Sequence, residues 1–235
     1  MKNLIVDGNN IASVCYFSLH DLANEDSTLY DFNQRIKNYI DTFKIDKVYI
    51  CWDGHNGSAW RKDVYPDYKA NRKERDPNLI ESINFCKNNK YKNITVDESE
   101  GDDIIYAVCK VLKDEENYIF SSDKDLIQIV QEKYATVIIN PLVKLDNIEG
   151  KSPFREIPDY DICVYKSIVS DSSDGIKGVK GKGDKFALRY FNGEVELNDE
   201  EEKERKLCES IIRLSLNPSK DKIFDEVAKL LKEAK

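Results

Sequence analysis

Short apolar runs that close on aspartate recur along this chain, and they limit its possible folds more than any other feature. NLIVD ends at Asp7, KVYICWD ends at Asp53, and YIFSSDKDL runs into Asp123 and Asp125. A fourth run, NITVD, leads into DESEGDD, which carries Glu100, Asp102 and Asp103. Such runs, rich in β-branched and aromatic residues, read as buried strands. YATVIIN reads as a fifth. Between the strands, TLYDFNQRIKNYIDTFK places Leu29, Phe32, Ile36, Ile40 and Phe43 at helical spacing. GDDIIYAVCKVLKD and KDLIQIVQ read as further helices. Alternating strands and helices predict an α/β fold with a central, mostly parallel sheet flanked by helices. Beyond about residue 158 the strand signals stop, and the remainder is helical around a glycine-rich DGIKGVKGKGD. We divide the chain at EGKSPFREIP into residues 1–157 and 158–235.

In a parallel sheet the C-terminal strand ends share one side, and ligands bind there. The acidic strand ends should therefore meet, although they lie far apart in sequence. Each has a simpler reading by itself. An Asp after a strand caps a helix or starts a turn, and Asp102 and Asp103 in a helix's first turn face its positive end. Together they pose a problem that caps do not solve, because crowded carboxylates repel at neutral pH unless cations neutralise them. Carboxylate oxygens without His or Cys suit Mg²⁺ or Mn²⁺. Two such ions about 4 Å apart suit phosphodiester hydrolysis.

Two basic segments complete the pattern. SDSSDGIKGVKGKGDKFALRYF begins with Asp171 and Asp174. Its Gly178, Gly181 and Gly183 permit a tight turn whose N–H groups can face phosphate, and Ile176 and Val179 can anchor that turn. This reads as a helix–hairpin–helix gripping the DNA backbone, with lysines adding affinity that is blind to sequence. AWRKDVYPDYKANRKERDP mixes Trp60, Tyr65 and Tyr68 with cations, a blend that suits single-stranded nucleic acid as well as a solvated helix.

Composition excludes other classes. No run of 18 or so apolar residues is present to span a membrane, and the N-terminus meets an Asp too early for a signal peptide. The six cysteines are scattered and the histidines number two, which argues for reduced core thiols and against a zinc site. An intracellular protein is expected. The net charge of −8 speaks against a nucleic-acid partner until its distribution is considered. Residues 61–75 carry six bases against three acids, and residues 175–189 carry five against one.

In chain order VDGNN, WDG, YPDYKANR, ESEGDD, SSDKDL and SDSSDGIKGVKGKGDKFA follow the pattern of the 5′-nuclease family. Over about residues 1–190 the sequence resembles the phage and bacterial 5′→3′ exonucleases and flap endonucleases. The resemblance implies a PIN-like core, a helical arch or clamp at about 58–90, and a C-terminal helix–hairpin–helix that binds duplex DNA. By matched motif position, it makes Asp7, Asp53, Glu100, Asp102, Asp103 and Asp123 a first metal cluster. Asp125, Asp171 and Asp174 form a second, sharing Asp103 or Asp123. Lys69 and Arg72 become the clamp residues at the scissile phosphate, catalytic alongside Asp103 and Asp123, with Tyr68 stacking on a base. Gly178, Lys180, Gly181, Lys182, Gly183 and Lys185 become backbone contacts. The implied cofactors are two Mg²⁺ or Mn²⁺ ions, with room for a monovalent cation at the hairpin. The implied partners of a monomeric enzyme are DNA 5′ ends, flaps and single-strand/duplex junctions, and by extension RNA–DNA hybrids. Cleavage would leave a 5′-phosphate and a 3′-hydroxyl, in replication or repair, by a stand-alone enzyme, with a phage among its expected sources. The short stretch between Asp53 and Glu100 suits an open clamp as readily as a closed arch. Setting those nine carboxylates aside takes the net charge from −8 to +1. Two other readings stay open: a PIN-like ribonuclease, which ordinarily lacks the hairpin element, and a catalytically silent DNA-structure-binding protein, which would lack some of these acids.

Overall fold

Alternation along each strand decides how the sheet is packed. Strand β1 (Lys2–Asp7) turns Leu4 and Val6 to one face and Ile5 to the other, and all three are fully buried. The same split holds in β2 (Lys47–Trp52), with Ile50 and Trp52 opposite Tyr49 and Cys51. It holds again in β4 (Glu116–Phe120) and β5 (Val137–Ile139). Successive side chains on a strand point to opposite faces, so a sheet apolar on both must be covered on both. With β3 (Lys92–Thr95) the strands form one parallel sheet in the order β3-β2-β1-β4-β5. This matches the expected fold class. The computed structural model describes residues 1–142 and 152–233, so the first residues of the expected EGKSPFREIP boundary lie outside the described residues.

One face is covered by α1 (Gly8–Leu19), α2 (Glu25–Phe43) and α4 (Pro77–Cys86), through Ile11, Phe32, Ile36, Leu79 and Ile83. Helix α1 goes beyond the sequence expectation. The short α3 (Ala59–Val64) lies at the start of the stretch assigned to the clamp. The other face carries α5 (Gly101–Val111), α6 (Ile127–Gln131) and α7 (Ile162–Val169). Helices α9 (Asp199–Ile212) and α10 (Lys220–Lys232) add Cys208, Ile211, Ile223 and Val227 to that same cluster. Residues beyond 158 thus share a core with the sheet. Helix α8 (Asp184–Phe191) follows α7 across the glycine-rich turn. All six cysteines are buried and unpaired. No helix among the described residues is long and apolar enough to cross a membrane.

Chain order fixes where a ligand can sit. The chain runs from β1 out to β2 and β3, then crosses back to β4 on the other side of β1. A parallel sheet opens a crevice at such a reversal, beyond the strands' C-terminal ends. Here the crevice lies between Asp7 and the Ser121–Asp123 turn.

Candidate active site

The turn after β1 ties the strand ends together. Asp7 caps α1, its Oδ1 accepting the Asn10 N–H at 3.1 Å, while its Oδ2 accepts the Ser121 hydroxyl at 2.8 Å. Asn10 Oδ1 accepts the Ser122 N–H at 2.9 Å, and Asn9 Oδ1 accepts the Asp53 N–H at 3.0 Å. Asp53 in turn accepts the N–H of Gly101, the first residue of α5, at 2.8 Å. The two asparagines of VDGNN therefore lock β1, β2 and β4 into one acidic edge. The motif marked them, but spacing alone gave no role for them.

Asp7, Asp53, Asp102 and Asp123 meet at this edge and feel one another's charge. Burial, reinforced by Asp123 and Asp53, pushes the Asp7 carboxyl up to about 7 against the bonds from Ser121 and Asn10. Burial, then Asp123 and Asp7, drive Asp102 well above the usual carboxylate range. None of the four has an ion-pair partner among the described residues.

The other expected ligands do have partners. Asp103 is gripped by both terminal nitrogens of Arg61, at 2.8 and 2.9 Å, and also accepts the Glu100 N–H at 3.1 Å. Arg61 is itself buried, with Nε on the Ile211 carbonyl at 3.1 Å and its guanidinium against the Trp60 ring. Asp103 was expected as a metal ligand and catalytic residue. It is instead sealed in a bidentate ion pair beneath the edge, with both oxygens engaged. Glu100 receives Arg61 at 2.9 Å, the Tyr68 hydroxyl at 2.8 Å and Lys69 Nζ at 2.5 Å. Burial raises the Glu100 carboxyl, but Arg61 and Lys69 outweigh it and hold it below its ordinary range. Tyr68 was expected to stack on a base. At 4% exposure it is packed in the core with its hydroxyl spent on Glu100, so it has no face to offer.

The second expected set is drawn onto two cations. Lys166, on α7, bridges Asp125 and Asp171, the latter at 2.7 Å. Arg72 holds Asp174 at 2.6 Å. Burial, with Asp123 next, pushes Asp125 up to about 7 despite Lys166. For Asp171, Lys166 overcomes burial and keeps the carboxyl low. Among the described residues no three acidic, His or Cys side chains converge closely enough to hold an ion as they stand. Of the nine acids, Asp7, Asp53, Asp102 and Asp123 thus stand at the edge without an ion-pair partner among the described residues, and five are neutralised from within, Glu100, Asp103, Asp125, Asp171 and Asp174. Arg61 and Lys166 escaped the sequence reading. Lys166 has one local signal, a cation in the otherwise apolar VYKSIV, whereas Arg61 in AWRKDV looks like any other base of its charged segment.

The clamp segment docks on the hairpin loop. Lys69 N–H donates to the Asp174 carbonyl at 2.7 Å, Asn71 reaches the Ser172 carbonyl at 2.8 Å, and Lys177 pairs with Asp67 at 2.5 Å. Of the expected clamp at 58–90, Leu79, Ile83 and Cys86 belong to the core, and the exposed stretch is 62–76 with Tyr65, Tyr68 and Lys69 turned inward. An open cleft of about 490 Å³ runs between Asn10, Arg72, Ser122–Lys124, Lys166 and Ser170–Ser173. In the hairpin, Ile176 and Val179 are buried, and Gly178 has φ +64 with no room for a Cβ against the Ile168 carbonyl. Lys180, Gly181, Gly183 and Lys185 are exposed; Lys182 is bound to Glu201 at 2.9 Å and lies over the Phe186 ring.

The profile of the family described as 5′-3′ exonuclease, N-terminal resolvase-like domain matches residues 2–154. The 5′-3′ exonuclease of Mycoplasmopsis pulmonis is 30% identical over 203 residues, which are 81% of this chain and 66% of that protein. DNA polymerase I of Caldicellulosiruptor bescii is 30% identical over 244 residues, 95% of this chain and 28% of that protein. The chain therefore spans less than two thirds of the length of either relative. A solved structure of a bacteriophage T5 flap endonuclease with DNA and metal ions superposes with a TM-score of 0.68 at 16% identity, over 99% of this chain and 97% of that one. That likeness establishes a shared fold. With the profile spanning most of the chain and the acidic edge at the sheet's reversal, the protein belongs to the 5′-3′ exonuclease family, through its N-terminal resolvase-like domain.

Proposed function

We propose that the chain is a metal-dependent 5′-nuclease that hydrolyses DNA phosphodiester bonds close to 5′ ends, flaps and junctions, within replication or repair inside the cell. The observation that carries this reading is the unpaired set Asp7, Asp53, Asp102 and Asp123 at the sheet's reversal. Burial pushes Asp7 and Asp102 upward, as expected of carboxylates made for a cation. Family membership and the activity named for the Mycoplasmopsis relative support it. The donors are all hard oxygens, which fit Mg²⁺ or Mn²⁺. Two such ions would supply charge stabilisation at the phosphate and an activated water.

The chain's own residues do the rest. Asp7, Asp53, Asp102 and Asp123 would hold the first ion, with Glu100 completing the shell once Lys69 leaves it. Asp125, Asp171 and Asp174 would hold the second. Asp103 acts as a positioning residue, fixing Arg61 and the start of α5 beneath the ligands. Arg72 lines the cleft and Lys69 lies inward on Glu100, and both would exchange a carboxylate partner for phosphate oxygens. Gly178–Lys185 would carry the duplex backbone, with the exposed Lys180 and Lys185 side chains meeting phosphates. A monovalent cation at that turn belongs to the same proposal. Residues 1–157 would form the nuclease core and 158–235 the DNA-gripping region, which also lends Asp171 and Asp174 to the metal site, and the two share one core.

A 5′-flap duplex labelled on the flap and on the duplex strand tests this. Cleavage at the junction in Mg²⁺, abolished by EDTA and lost in Asp123→Asn, is the expected result. A flap that binds but stays intact in both Mg²⁺ and Mn²⁺ would overturn it in favour of a binding protein. Cutting of an RNA strand alone would favour the ribonuclease reading.

A further inference from the structure

A lysine on a packed helix face usually snorkels its ammonium to water. Lys166 does the opposite. Its side chain is 15% exposed, and its Nζ lies between Asp125 at the entrance to α6 and Asp171 in the hairpin loop, two segments otherwise distant in sequence. A buried ammonium is tolerable only when it is paired in this way. Both partners belong to the second carboxylate set, and its third member, Asp174, is held by Arg72 at 2.6 Å. The second set is therefore fully engaged by cations of the protein, whereas Asp7, Asp53, Asp102 and Asp123 have none among the described residues. The asymmetry is built by the fold, since Lys166 stands on α7, a helix anchored by its buried Ile162, Cys163, Ser167 and Ile168.

The same ammonium borders a second environment. Lys166, Arg72 and Lys124 line the open cleft of about 490 Å³ together with Ser170–Ser173. A phosphodiester in that cleft would offer both Lys166 and Arg72 charge-assisted bonds to replace those they make to carboxylates. We infer that Lys166 is a built-in counter-ion that keeps the second carboxylate set closed to divalent metal in the free protein, and that a DNA phosphate opens the set by drawing the ammonium into the cleft. This rests on the metal reading proposed above. It makes full metal loading a consequence of substrate binding. A site whose competent form is populated a tenth of the time or less binds its ligand roughly tenfold more weakly, or worse, than the open form does.

The test counts bound Mn²⁺ by the loss of the free ion's electron paramagnetic resonance signal, at neutral pH, without reading activity. The samples are the wild type alone, the wild type with a 5′-phosphorylated product duplex, and Lys166→Met and Lys166→Arg alone. The free wild type should bind one ion tightly and a second roughly tenfold or more weakly. Lys166→Met should bind both tightly without DNA, Lys166→Arg should behave like the wild type, and product DNA should bring the wild type to two. Equal tight binding of two ions by the free wild type, unchanged in Lys166→Met, overturns the role of Lys166 and leaves the metal reading standing. No Mn²⁺ bound by any sample removes the metal reading and this inference with it. If Lys166→Met fails to fold, the wild type decides alone, because no gain in bound ions with DNA overturns the inference.

Discussion

Removing Arg61 would leave the Asp103 carboxylate buried with no counter-charge. Both side chains are almost wholly enclosed, at 3% and 1% exposure, and the contact is bidentate. Truncating one partner of such a pair costs about 3–5 kcal/mol, largely the penalty of stranding the other. Arg61→Met should therefore lower the urea midpoint sharply. Adding Asp103→Asn should recover part of the loss, because the stranded charge is gone; strictly additive losses would show that the two residues do not act as a pair. Most carboxylates of this site were legible in the sequence because they follow a strand or open a helix, a local signal, while Asp171 and Asp174 were marked by the glycine-rich turn they precede. Their internal cations were not. Arg61 meets Glu100 and Asp103 across 39 and 42 residues, and Lys166 meets Asp125 across 41. Lys166 also meets Asp171 only five residues on, but nothing local to AWRKD or VYKSIV shows which distant acid the fold will bring near. Tyr68 was misread for the same reason: an aromatic among cations looks alike in a groove and in a core.

At the scale of elements, β1, β2, β4 and β5 were legible because each puts apolar residues on both faces, whereas the edge strand β3 buries only Ile94 and was marked by its neighbours in NITVD. The clamp was not. Helix α4 hides its core positions Leu79, Ile83 and Cys86 in a polar context, and the residues before it are held by the hairpin loop rather than by any pattern of their own. The hairpin gives a graded prediction. Gly178 combines φ +64 with a Cβ position only 2.6 Å from the Ile168 carbonyl, whereas Gly181 has φ +76 and nothing within 4 Å. Gly181→Ala costs only the left-handed backbone, on the order of 1 kcal/mol. Gly178→Ala must also move the turn, so it should weaken metal-free duplex binding, measured by fluorescence anisotropy, by the larger factor. Equal losses would mean that the turn's shape does not set affinity. The lysines separate similarly. Lys180→Ala and Lys185→Ala should each weaken binding across sequences and flatten its salt dependence by about one unit of slope. Lys182→Ala should do less, since Lys182 is committed to Glu201 and Phe186.

Across the whole molecule, the acidic edge sets how stability follows pH. Asp7 and Asp125 are pushed from 3.8 to about 7, and Asp102 is raised with them. Between those limits the folded protein binds more protons than the unfolded chain, so each group's contribution is complete below about pH 4 and is lost as pH rises through about 7. Glu100, Asp161 and Asp171 are shifted the other way, and their contribution is lost only as pH falls below the ordinary carboxylate range. The metal-free protein should therefore be most stable near about pH 5 and weaken toward about pH 8. A divalent ion binds the charged carboxylates, so Mg²⁺ should raise Tm more at about pH 8 than at about pH 5. Asp7→Asn discriminates between causes. It removes a charge that burial opposes, so in EDTA at about pH 8 it should raise Tm by a few degrees, each ~1 kcal/mol moving Tm by roughly 2–4 °C in a chain of this size. It should also shrink the gain from Mg²⁺. Differential scanning fluorimetry across this range, with and without Mg²⁺, reads both effects. A metal-free Tm that rises from about pH 5 to about pH 8, with Asp7→Asn below the wild type throughout, would show that the acidic edge is satisfied without metal.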